Sequence, residues 1–317
     1  TGLVHKDQQE LVLRVLALAH SMAGSAQEKM SVETLGWSLL EYFGEFETIR
    51  DAADRLTAES DRTKPDLANL QFWRCAGLAW FHGDLISKYE IARSWVPDLV
   101  SDPIERDIID ASFLDHIGLG HFHSGNLETS EQAFTECLRI CRRHHIYLET
   151  PLNNLGAVCI ARGKFDQAHE HLSAAGRILF KRRFQEISIR LNHSIALFFL
   201  GRTDEAIAML GPYAEDSSLS PDPVLHIGAQ LNKGFFEFSR GNFIEATRLL
   251  KAPAEWNYRF RGDTRRAARL TLYRLAAARA GLIGGEHIGD LSNVDMEMRG
   301  TDPAKFPVHL DLNSMYV

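Results

Sequence analysis

The sequence predicts an all-α fold, an α-solenoid of about seven helix-turn-helix repeats with an N-terminal capping helix. Three observations carry this. A glycine returns at Gly44, Gly83, Gly125, Gly163, Gly201, Gly241 and Gly281, with separations of 39, 42, 38, 38, 40 and 40 residues. Around it the same offsets recur: Leu152, Leu155, Gly156, Cys159, Gly163, Phe165, Ala168, Leu172 and Ala175 in one copy, and Leu114, Gly118, Gly125, Leu127, Phe134 and Cys137 in another. The apolar residues between these marks follow the 3.6-residue period of helices. Each mark has a mechanical reason, since glycine supplies the left-handed residue that ends one helix and alanine lets two helix backbones approach.

The elements follow in order. Residues 5–22 read as the capping helix; the apolar stretch Leu11 to Ala23 is broken by Arg14, His20 and Ser21 and is too short and amphipathic to span a bilayer. Helical patterns then cover 30–43, 46–60, 66–82, 85–97, 104–124, 127–144, 148–162, 165–180, 184–200, 203–215, 222–240, 243–252 and 263–280, with a short one at 286–291. Asp102-Pro103, Ser220-Pro221-Asp222-Pro223 and Ala252-Pro253 fall between these segments, where proline begins a helix but does not interrupt one. The predicted organisation is a cap over 1–29, a repeat array over 30–285 and an acidic, proline-containing tail over 286–317.

The pattern of Leu152, Leu155, Gly156, Gly163, Phe165 and Ala168 resembles the tetratricopeptide repeat family, over roughly residues 30 to 285. The resemblance implies a right-handed superhelix of paired antiparallel helices whose first helices line a concave groove. The unit here is nearer 40 residues than the family's 34, and Ser130 and Lys88 stand where alanine is expected. Longer units of this kind are similar to those of bacterial MalT-type regulators, peptide-responsive regulators and kinesin light chains.

Composition excludes several function classes. A net charge of −7 argues against direct nucleic-acid binding, which needs a basic face to neutralise phosphates. Cys75, Cys137, Cys141 and Cys159 sit within predicted helices without the spacing of a disulfide framework or zinc site, so they read as buried apolar residues in a reducing, cytoplasmic compartment. His116, His121 and His123 lack the carboxylate that would complete a metal site, and His144-His145 and His169/His171 read as helix-surface pairs. No nucleophile elbow, Walker loop or glycine-rich dinucleotide turn is present, so neither enzymatic activity nor a cofactor or metal is expected.

Two recurring rows carry the functional reading. Overlaying first helices aligns Arg74, His116, Asn154, Asn192 and Asn232, two positions before the small residue of each Leu-Gly pair. An amide can both donate to and accept from a backbone, which suits an extended peptide; the resemblance implies this role for asparagine here, while asparagine is also common there without a ligand. Trp80, Phe122, Ile160, Phe198 and Phe238 form the second row, either lining side-chain pockets or packing helix on helix. Arginine-rich stretches at Arg139 to His145, Lys181 to Arg183 and Arg259 to Arg279 read as helix C-termini, a solvated face or a surface for an acidic segment.

The expectation is a non-catalytic module binding a peptide or protein segment in the groove, as the sensory part of a bacterial signalling or transcription regulator, without a membrane. The alternative is a static scaffold or adaptor assembling a complex or homodimer.

Overall fold

The computed structural model describes residues 63–76, 86–178, 183–220, 223–255 and 264–283, with Leu11, Arg14, Val15, residues 17–19 and 21–24, Lys29 and Val32. All regular structure among these residues is helical, as predicted. Gly44, Gly83 and Trp80, and the predicted helices over 30–43, 46–60 and 286–291, lie outside the described residues apart from Val32. The chain divides into two compact units that meet in sequence at Pro151 and Leu152.

The first unit holds α1 (Leu67–Ala76), α2 (Ile86–Ser94), the single turn α3 (Val96–Leu99), α4 (Pro103–His123) and α5 (Leu127–His144). Its core joins Trp73, Tyr89, Val96, Ile109, Phe113 and Ile117. The helix predicted over 85–97 breaks at Trp95, because Pro97 lacks the N–H that would bond back to Arg93. Asp102 caps α4 by accepting from the Ile104 and Glu105 amides, each at 2.8 Å, with Pro103 as the first helical residue. Described residues of the N-terminal segment are helical at 11–22, and Leu11, Val15, Leu18 and Met22 are exposed.

The boundary falls early in α6 (Glu149–Ala161). The second unit then holds α7 (Phe165–Gly176), α8 (Arg183–Phe199), α9 (Thr203–Glu215), α10 (Pro223–Ser239), α11 (Phe243–Glu255) and α12 (Thr264–Arg279). Helix α11 runs three residues past its predicted end and contains Pro253. In the last turn proline removes only its own N–H, and the carbonyl of Pro253 accepts from Arg269 Nε at 2.9 Å.

The repeat marks do the work the sequence assigned to them. Gly125, Gly163, Gly201, Gly241 and Gly281 all have φ between 70° and 86°. At Gly163 the Lys164 amide bonds Cys159 O at 2.8 Å and the Gly163 amide bonds Ile160 O at 2.9 Å, and the same two bonds form at each of the other four. These are Schellman turns, which satisfy the last helix carbonyls through one left-handed residue. Close approach comes from a different glycine: a Cβ on Gly118 would lie 2.6 Å from Phe134, on Gly156 2.5 Å from Leu172, and on Gly234 2.8 Å from Leu250. Ala168, Ala206 and Ala246 are fully buried. Ser130, which replaces the expected alanine, is also buried and donates its hydroxyl to Gly118 O at 2.8 Å.

Candidate functional site

Arg74 and His116 occupy the polar row in the first unit. His116 is only 2% exposed, its Nε2 donates to the Arg74 carbonyl at 2.9 Å, and its ring centroid lies 5.6 Å from that of Tyr89. Burial, reinforced by the Arg74 charge, pushes its pKa down to about 3. The donated bond fixes the neutral tautomer with hydrogen on Nε2. His116 thus joins helix α4 to α1 rather than facing solvent.

In the second unit the three amides share a register but not an environment. Asn154 and Asn192 are fully buried and Asn232 is 1% exposed. Asn192 Nδ2 donates to Asn153 Oδ1 at 2.9 Å, tying α8 to α6. Asn232 Nδ2 is buried and finds no acceptor among the described residues; Gln230 Oε1 likewise finds no donor among them, while its amide nitrogen donates to Ala214 O at 3.2 Å. Lys233 reaches Glu215 at 2.6 Å beside them.

The aromatic row is half-buried at Phe122, Phe198 and Phe238, and fully buried at Ile160. Phe198 stacks on the buried ring of Phe236 at 4.6 Å and meets Phe235 edge-on at 5.5 Å. Phe238 packs edge-on to Phe243 at 5.4 Å. Phe198 and Phe238 therefore each anchor against a neighbouring helix while part of the ring stays accessible.

Among the described residues, several cations of the basic stretches are engaged. Arg143 and His144 both reach Asp107 at 2.7 Å, and the His144 hydrogen bond is the main cause that holds the Asp107 carboxyl below its usual range. Arg269 is buried against Pro253. Sequence reading missed a partnership at His169, which is half-buried and lies 2.7 Å from His193 across α7 and α8. The two are 24 residues apart, so no local pattern announces them. Among the described residues no cluster of three or more His, Cys, Asp or Glu is placed to hold a metal, and no helix is long and apolar enough to cross a membrane.

The tetratricopeptide repeat family model matches residues 110–179, the stretch from within α4 to just past α7. No curated protein matches the chain in sequence. Among solved structures, the apo form of the quorum sensor NprR from B. thuringiensis superposes with a TM-score of 0.56 at 11% identity, covering 95% of this chain and 86% of that one. That likeness shows a shared helical-repeat fold.

Proposed function

We propose that this chain is a non-catalytic module that binds a peptide or protein segment along the first helices of its repeats, as the sensory or regulatory part of a signalling or transcription regulator. The observation that carries the reading is the pair Phe198 and Phe238, which recur one repeat apart and are both half-buried beside further aromatic surface. The tetratricopeptide match supports a segment-binding module, and the fold shared with a quorum sensor supports a sensory one. Asn232 adds a buried donor that a ligand carbonyl would satisfy. Asn154, Asn192 and Asn232 are all covered in this state, so contact of any of them with a ligand requires the covering side chains to move.

The test is peptide display against the purified chain, followed by affinity and melting measurements on Phe198→Ala, Phe238→Ala and Asn232→Ala. Each phenylalanine truncation should cost about 1–3 kcal/mol of binding, as buried aromatic anchors do. A selected peptide that binds all three variants as tightly as the parent would sink the reading and favour a scaffold that uses other surfaces.

A further inference from the structure

A cleft of about 320 Å³ opens between α7, α8 and α9, a volume at the lower end of small-molecule sites. Its polar wall comprises Ser173, Arg177, Glu186, Arg190 and His193. Glu186 is the one carboxylate in that wall, and it is already engaged by Arg190 at 2.9 Å and by the Tyr213 hydroxyl at 3.1 Å. Arg190 also lies over the Tyr213 ring, 5.7 Å from its centroid. Arg177 has no carboxylate partner among the described residues, so the wall carries one uncompensated positive charge.

The histidine pair sets the remaining donor. Arg202 clamps Glu205 through two bonds of 2.7 Å and points Nη1 at His169 Nε2, 3.1 Å away. A guanidinium only donates, so His169 Nε2 must accept and its ring hydrogen sits on Nδ1. That hydrogen is donated to His193 Nε2 at 2.7 Å, which leaves the hydrogen of neutral His193 on Nδ1. No group among the described residues takes that hydrogen. The Ser173 hydroxyl stands 3.4 Å from both rings, far enough to turn to a closer acceptor.

We propose that this cleft is a binding site for a single carboxylate, with Arg177 supplying the charge, and Ser173 and the N–H of His193 the neutral donors. One surplus charge beside a fixed Glu186 suits a monoanion and disfavours a phosphate dianion. Burial and the neighbouring His169 and Arg202 push the His193 pKa down to about 4, so at neutral pH the ring adds a donor and no charge. Arg202 is a positioning residue, acting through the tautomers it imposes. The site does not depend on the aromatic face proposed above, and the carboxylate could belong to a small organic acid or to a peptide end.

The experiment titrates the intact chain with N-acetylglycine, with tetra-alanine bearing a free or an amidated C-terminus, and with inorganic phosphate, followed by calorimetry and imidazole ¹⁵N spectra. Binding of N-acetylglycine alone identifies a small acid as the source, whereas binding of the free but not the amidated tetrapeptide identifies a peptide end; either supports the site. Arg177→Gln should weaken that binding by about tenfold, the loss of one charge-assisted bond, while Arg142→Gln on the first unit leaves it unchanged. In Arg202→Gln the His193 signals should report mixed tautomers alongside weaker binding, with the melting temperature held. Equal binding of phosphate, no binding of any carboxylate, or undiminished binding by Arg177→Gln overturns the proposal.

Discussion

A methyl group added at Gly156 would meet the branch point of Leu172, which is itself fully buried and has little room to retreat. Gly156→Ala should therefore destabilise the protein by about 1–3 kcal/mol despite alanine's better helix propensity. Gly176 gives the opposite sign: it is the last residue of α7, with nothing beyond its chain neighbours within 4 Å of an added methyl, so Gly176→Ala should stabilise by about 0.5 kcal/mol. Urea denaturation of the two variants checks both directions. His116 makes a separate prediction in pH. Its neutral form is favoured in the folded state, where the pKa is about 3 against an ordinary 6.5, so the unfolded chain binds more protons between those values. The stability this histidine contributes is whole above about pH 6.5 and drains away as pH falls toward about 3; His116→Leu should flatten that part of the stability profile. A profile unchanged by the substitution would show that the ring is not held neutral.

At the scale of helices, what could be read from the sequence was whatever one residue type must do locally. The Schellman turn requires a left-handed residue, so the glycine period announced the ends of helices from Gly125 to Gly281. The same logic placed Asp102-Pro103 at the head of α4. Pro253 misled because the rule against interior proline relaxes in a last turn whose carbonyl a distant arginine can reach. The candidate site was legible in register and not in environment. The row of Asn154, Asn192 and Asn232 was visible, but the amide of Asn192 is taken up by Asn153 on a helix of the preceding repeat, a tertiary fact. Replacing Asn192 by Ala should cost stability of about 1–3 kcal/mol through that lost bond, whereas Asn232→Ala, whose nitrogen has no acceptor among the described residues, should cost less. Comparing the melting temperatures of the two variants decides whether the row is uniform.

Across the whole chain, the contacts within the second unit run mainly between neighbours in sequence order, helix against next helix from α7 to α12, with α8 also meeting α10 one repeat on. In such arrays perturbations fade with distance along the stack. Gly234→Ala, which forces a methyl toward Leu250, should speed amide hydrogen exchange in α9 to α12 more than in α7. The same ordering makes the three inaccessible sulfurs into local clocks. Cys137 and Cys141 lie on α5 in the first unit and Cys159 on α6 in the second, all three thiols outside any disulfide and fully covered. A thiol can meet an alkylating reagent only while its helix is open, and burial raises the Cys137 thiol further from its reactive thiolate. In a Cys75→Ser background, modification times at these positions would then date the opening of each unit from within it, with no foreign label introduced.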